Sequence, residues 1–254
     1  MGAIPSSQLL LLFLTTEALF AAGAVLMALI TGRQERRVRK TSWLKYGTFF
    51  VIIHMVVISI MVRKLPFLVL FFTVSLMAVF EVVRTTVTSR LIIRRTGMAL
   101  AFILLFGGVQ WTFIRFILKT SSVTIITVFI LVAILDAFSQ LTGQLLGRHG
   151  LAPKISPNKT TEGLIGGLAV CIITTVILRN NLSLTVLQSV LFGLLLGVAG
   201  SAGDLTSSFF KRQNDIKDYG SILPGQGGVM DRFVSFFAAA NAALLYFYLN
   251  RVPF

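Results

Sequence analysis

The sequence predicts an all-α fold, a polytopic transmembrane bundle of about eight helices whose polar loops gather on one side. Three observations predict it. The 254 residues are 56% hydrophobic and 13% charged, with 22 phenylalanines and a mean hydropathy of +0.88, whereas a soluble domain carries roughly 25% charged residues. Apolar runs of about 20 residues recur along the chain, and a soluble core of this size could not bury them all. The acidic residues are concentrated: four of nine, Asp204, Asp215, Asp218 and Asp231, fall between Gly203 and Arg232. In a membrane chain so poor in carboxylates, that concentration points to chemistry in this segment.

The expected spans cover residues 8–31, 44–62, 66–83, 97–117, 122–143, 162–178, 183–202 and 229–249. The first has neither a basic leader segment nor a small-residue cleavage site, so it reads as a retained span. Arg63-Lys64-Leu65-Pro66 makes a tight turn between the second and third, and Pro66 suits a helix start. Gln110, Trp111 and Arg115 interrupt the fourth, the least regular of the set. The seventh carries Gly193, Gly197, Gly200 and Gly203 at spacings that favour close helix packing, which would hold Asp204 tightly beside a neighbouring helix. Two regions follow: residues 1–120 with basic loops between N-terminal spans, and residues 121–254 with both polar motifs.

Charge sets the orientation. Arg33, Arg36, Arg37, Arg39, Lys40 and Lys45 lie in the first loop, Arg84, Arg90, Arg94 and Arg95 in the third. Arg148, Lys154 and Lys159 lie in the fifth, and Lys211, Arg212, Lys217 and Arg232 in the seventh. Only Arg63, Lys64, Lys119, Arg179 and Arg251 lie on the other side. The odd-numbered loops are therefore expected in the cytoplasm, with both termini outside. The net charge of +14 is then accounted for by topology and anionic headgroups, so nucleic acid is not expected as a partner. A single cysteine, Cys171, excludes an intramolecular disulfide and a Cys-rich metal site. Within spans, His54 reads as a satisfied hydrogen-bonding residue, Glu17 has no local partner, and Glu81 has Arg84 three residues on as a helical-face partner.

The segment from Gly203 to Arg232 has the residue types of a phosphoryl-transfer site. Asp204 ends one span and Asp231 opens the next, so antiparallel helices bring two carboxylates to one depth. With Thr206, Ser207 and Ser208 nearby they form a hard oxygen site suited to Mg²⁺, which binds through one or two carboxylates and substrate phosphates. Lys211, Arg212 and Lys217 are cations for a polyphosphate, with Asp218 beside them. Pro224-Gly225-Gln226-Gly227-Gly228 lets backbone amides approach an anion and leads into a helix start. A second polar segment follows Asp136 at the end of span five and contains Ser156, Lys159, Thr160, Thr161 and Glu162. Taken singly, these elements have plainer readings: bases that set topology, glycines that turn the chain, and hydroxyls and aspartates that cap helices.

Together they resemble a known family. Ser208-x-Phe210-Lys211-Arg212-x4-Lys217-Asp218, followed by Leu223-Pro224-Gly225-x-Gly227-Gly228-x-x-Asp231-Arg232, is similar to the signature of phosphatidate cytidylyltransferases. Asp136 followed by Gly143-x-x-x-Gly147-Arg148 and Ser156-Pro157-x-Lys159-Thr160-x-Glu162-Gly163 resembles the same family, so the agreement covers roughly residues 131–235. The resemblance implies a membrane nucleotidyltransferase of phospholipid biosynthesis that condenses CTP with phosphatidate to CDP-diacylglycerol and pyrophosphate. By resemblance, Asp204 and Asp231 hold Mg²⁺, with room for a monovalent cation such as K⁺. Lys211, Arg212, Lys217 and Asp218 are the catalytic set. Asp136, Ser156, Lys159, Thr160, Ser207, Ser208, Gly225, Gln226, Gly227, Gly228 and Arg232 bind substrates. It further implies membrane lipids as surroundings, a homodimer, and a bacterial inner membrane with the active site facing the cytoplasm.

Two positions depart from the family pattern: Gln226 stands where a histidine is usual, and Val234 where an aspartate is usual. They leave open a catalytically silent or redirected paralogue that partners a lipid-synthesis enzyme. A small-solute transporter is the other alternative. Transporters place ionisable groups near mid-membrane on broken helices, and here those groups concentrate at the span ends.

Overall fold

The structure, a computed structural model, describes residues 6–32, 35–62, 64–88, 92–223 and 226–250. Among the described residues eight α-helices form one bundle: α1 (Ser6–Thr31), α2 (Arg36–Val62), α3 (Lys64–Thr88), α4 (Ile92–Lys119), α5 (Ser122–Leu146), α6 (Thr161–Ile177), α7 (Val186–Gln213) and α8 (Met230–Asn250). Every expected span corresponds to one of them. Six of the described helices are long and apolar enough to cross a membrane, and α6 is a shorter apolar helix. The chain is an integral membrane protein.

The centre of the bundle is α5. Every residue from Val123 to Leu135 is buried, as expected of a helix that is apolar all round. It packs against α6, α1, α8, α2 and α7. On one flank Phe71 of α3, Phe113 of α4 and Phe237 of α8 interlock, with Phe71 and Phe113 ring centroids 4.2 Å apart and Phe71 and Phe237 5.6 Å apart. Gln110, expected to interrupt α4, instead sits buried inside a continuous helix and accepts a hydrogen bond from Ser75 at 3.0 Å. Trp111 and Leu104 of the same helix are exposed, as lipid-facing side chains are.

Three local features differ from the loop-and-span expectation. The seventh span does not stop near residue 202: α7 continues to Gln213, so Asp204, Ser207, Ser208 and Lys211 lie on a helix. Their spacing of three, four and seven residues puts them on one face. The second helix likewise begins in the basic stretch at Arg36. The fifth loop contains a two-stranded antiparallel hairpin, β1 (Gly150–Ala152) with β2 (Ser156–Thr160), in which Gly150 faces Thr160 and Ala152 faces Ser156.

The glycine face of α7 does produce close packing. A Cβ on Gly203 would stand 2.5 Å from the Ala238 Cβ and 3.3 Å from the Val234 carbonyl oxygen of α8. Gly203→Ala should therefore lower the thermal midpoint in detergent, because overpacking of about 1–3 kcal/mol outweighs the roughly 1 kcal/mol gain in helix propensity. Gly107→Ala, where nothing lies within 4 Å of the new Cβ, should hold or raise it.

Candidate active site

The polar end of the bundle is assembled by ties between segments far apart in sequence. The Gln226 amide donates to the Lys45 carbonyl of α2 at 2.7 Å, and the Arg212 Nε donates to the Ile155 carbonyl of the hairpin at 3.1 Å. Glu81 of α3 accepts from the Val229 and Met230 amides at the start of α8, at 3.0 and 2.8 Å. The C-terminal parts of α3, α5 and α7 thus meet the N-terminal parts of α2 and α8.

Asp231 anchors this end. Its Oδ1 takes the Lys211 ammonium at 2.6 Å, and its Oδ2 accepts from the Tyr219 and Gly228 amides at 2.9 and 2.8 Å. The Asp231 and Lys211 side chains are only 4% and 12% exposed, so the pair is shielded from water. Lys211 also lies over the Tyr219 ring, 5.6 Å from its centroid. The Ser207 hydroxyl donates to the Tyr219 phenol oxygen at 3.2 Å, and the phenol donates back to the Ser207 carbonyl. Burial pushes the Tyr219 phenol above its usual value, against the lowering effect of the Ser207 bond, so it stays neutral.

Asp204, three residues before Ser207 on α7, pairs instead with Lys159 of the hairpin at 2.5 Å, and this pair is about a third open to solvent (26% and 32%). Asp136 of α5 feels Asp204, Arg232 and Lys159 electrostatically and has the Ser235 hydroxyl beside it. Asp136 and Arg232 also stand together in the wall of a cavity between α1, α2 and α5. The rest of that wall includes Leu19, Phe20, Met27, Phe49, Ile53, Ile134 and Leu141, with Lys45 and Gln226 near the polar end. The cavity is partly open to the outside. A neighbouring smaller cavity shares Asp136 and Arg232 and extends among Phe129, Phe233 and Phe236.

A family model described as the cytidylyltransferase family matches residues 7–250, nearly the whole chain. The chain belongs to the cytidylyltransferase family. It is also 42% identical over 114 residues to a phosphatidate cytidylyltransferase of Staphylococcus haemolyticus, 43% to one of Staphylococcus aureus and 40% to one of Staphylococcus epidermidis. Each alignment covers 44% of this chain and 44% of the relative, so the match spans less than half the length of these curated proteins.

Against this family background the remaining residues take their places. Thr160 caps α6 by accepting from the Gly163 amide at 3.1 Å, while Glu162 accepts from the Arg148 and His149 amides and pairs with the His149 ring at 2.5 Å. Ser156 opens β2 and is partly buried. Ser207 and Ser208 are buried, at 1% and 7% exposure. Lys217 and Asp218 stand exposed between α7 and α8. Gly227 takes the left-handed conformation, φ +90, with its Cβ position 2.9 Å from Asp231 Oδ2, so it turns the chain against that carboxylate. Gly225 and Pro224 lie outside the described residues, as do Arg33, Arg63, Arg90 and Arg251 of the topology tally.

Some expectations change at this point. The start of α8, read as an anion site, has its Gly228, Val229 and Met230 amides already taken by Asp231 and Glu81. At the start of α6 the Gly163 amide is taken by the Thr160 hydroxyl and the Thr161 amide by the His149 carbonyl. Glu81 spends both oxygens on α8, with Arg84 acting on it only as a nearby charge. Asp204 and Asp231 are paired with different lysines, Lys159 and Lys211, and Asp136 also lies within electrostatic reach of Asp204. Gln226 is a tie to α2 as well as a lining residue, and Val234 is buried in the apolar core. Glu17 has a partner after all, His54 of α2 at 2.8 Å.

The two lysine–aspartate pairs should separate in a stability measurement. Lys211→Met strands a buried carboxylate and should cost roughly 3–5 kcal/mol, read as a lowered urea midpoint in detergent. Lys159→Met, at a pair open to solvent, should cost less than about 1 kcal/mol.

Proposed function

We propose that the chain transfers a cytidylyl group from CTP to a lipid phosphate, with phosphatidate as the acceptor and CDP-diacylglycerol and pyrophosphate as products. The observation that carries this reading is the cavity between α1, α2 and α5. Its apolar wall suits an acyl chain, and its polar end carries Arg232 and Lys45 beside Asp136. A diacyl phosphate needs that combination of hydrocarbon wall and cationic end. Family membership supplies the nucleotide, and the relatives' name, phosphatidate cytidylyltransferase, supplies the acceptor.

In this reading the lipid enters sideways between spans and Arg232 receives its phosphate. The phosphate oxygen attacks the α-phosphorus of CTP, a new P–O bond forms, the α–β bridging bond breaks, and pyrophosphate leaves. The acceptor phosphate is already ionised at neutral pH, so no general base is required. Lys159, Arg212 and Lys217 supply positive charge for the triphosphate. The bundle end that bears them faces the cytoplasm, on the balance of Lys and Arg between loops, and the host membrane is a bacterial inner membrane.

The residues present fit Mg²⁺. Among the described residues no cluster of three or more His, Cys, Asp or Glu gathers to cage a metal, and Mg²⁺ does not need one, since it binds through one or two carboxylates and substrate phosphates. Lys159 pairs with Asp204, and Asp204 and Asp136 are two carboxyl groups within electrostatic reach of each other. They would hold the ion, which neutralises charge on the transferring phosphates. Asp231 serves the frame, because both its oxygens are engaged by the protein.

Purified protein in detergent, given CTP, Mg²⁺ and phosphatidate, should form a CDP-lipid, and chelating the metal should stop it. Asp204→Asn should lower kcat by at least about 100-fold with the melting midpoint nearly unchanged. A fully active Asp204→Asn would remove Asp204 from the site, and absence of product with several lipid phosphates would sink the reading.

A further inference from the structure

Glu81 lies in α3, about 150 residues from the polar motif it touches, in the half of the chain whose sequence carries no signature. Its side chain is 3% exposed, yet it is an acid in an otherwise apolar stretch containing Ala78, Val79, Phe80, Val82 and Val83. Such a group persists only where hydrogen bonds satisfy it. Oε1 accepts from the Val229 amide at 3.0 Å and Oε2 from the Met230 amide at 2.8 Å. These are donors that the first turn of a helix leaves without an intrahelical partner, and a carboxylate there also meets the positive end of the helix dipole.

The surroundings are cut to admit this carboxylate. A Cβ on Gly228 would stand 2.6 Å from both oxygens, and one on Gly220 would stand 2.8 Å from Oε1. The two residues that follow the capped amides are Asp231, which holds Lys211, and Arg232, which faces the cavity. Arg232 is further fixed by its Nε bond to the Gln226 carbonyl at 3.2 Å. The rotation of the first turn of α8, and so the direction of both side chains, depends on where α3 pins its amides.

We propose that Glu81 is a positioning residue for the lipid-phosphate end of the site, acting through the first turn of α8 on Arg232. The proposal rests on the cytidylyltransferase reading for its kinetic consequence, and its structural half stands without it. Because Arg232 is the group at the cavity, displacing the turn weakens the hold on the lipid phosphate more than the hold on the nucleotide. A contribution to stability alone would reduce the amount of active enzyme and leave the KM values where they were.

The test is Glu81→Gln, which keeps the shape but offers one acceptor and one opposed N–H₂ group to the two amides. Two measurements are made in detergent: hydrogen exchange of peptides covering Val229 and Met230, and kinetics corrected for the fraction of active enzyme. The expected result is faster exchange in that segment with α6 unchanged, and a KM for phosphatidate raised by about fivefold or more while that for CTP moves less than about twofold. Should Glu81→Gln not fold, Gly220→Ala provides the second variant, since it leaves the charge and places a Cβ 2.8 Å from Oε1. Unchanged KM values for both substrates in a folded variant would overturn the proposal, as would unchanged exchange at Val229 and Met230. A wild-type protein that forms no CDP-lipid would remove the functional reading, while the exchange result would still decide whether Glu81 fixes the turn.

Discussion

The buried Lys211–Asp231 pair is the interaction on which the polar end of the bundle depends. A carboxylate and an ammonium taken from water at this depth cost several kcal/mol each unless geometry and further hydrogen bonds compensate. Here Asp231 takes one ammonium and two backbone amides, and Lys211 adds the Tyr219 ring. Those contacts join the end of α7, the connecting segment and the start of α8. With Glu81 closing the same helix start from α3, three helices are locked around a turn that carries Arg232 toward the cavity.

The consequence is a division of labour between two sets of charges. In the sheltered set, Asp231 and Glu81 have both carboxylate oxygens engaged by the protein, and Lys211 is paired with Asp231. The open set is Asp204 with Lys159, about a third exposed, and the more deeply buried Asp136 stands beside it. An ion pair in partial contact with water is cheap to separate, so these are the charges that a metal and a polyphosphate can recruit. The Gly228, Val229 and Met230 amides at the start of α8 are taken by side chains of the protein itself.

Much of this was legible in the sequence. Long apolar runs bounded by basic loops located all eight helices, because hydrocarbon length and loop charge are local properties. The glycines of α7 announced close helix packing, which falls against α6 at Gly193 and Gly197 and against α8 at Gly203. The helical extension carrying Asp204, Ser207, Ser208 and Lys211 was written in their spacing of three, four and seven, but the polarity of the stretch favoured a loop. What the sequence did not show depends on contacts between remote segments. Glu81 meeting Val229, Glu17 meeting His54, and Lys159 choosing Asp204 each require knowing which helices are neighbours. Helix direction places Asp204 and Asp231 at one depth in the membrane but does not set rotation about the helix axes, so which lysine each one meets was not legible.

The central claim is that the open charges at this end act on the α-phosphorus of CTP. It is tested most directly by following two labels in parallel, CTP carrying radioactive phosphorus at the α position and CTP carrying it at the γ position, each incubated with the protein, Mg²⁺ and phosphatidate. Cytidylyl transfer puts the α label into the lipid fraction and the γ label entirely into pyrophosphate. Recovery of the γ label in lipid, or of neither label, would contradict the account.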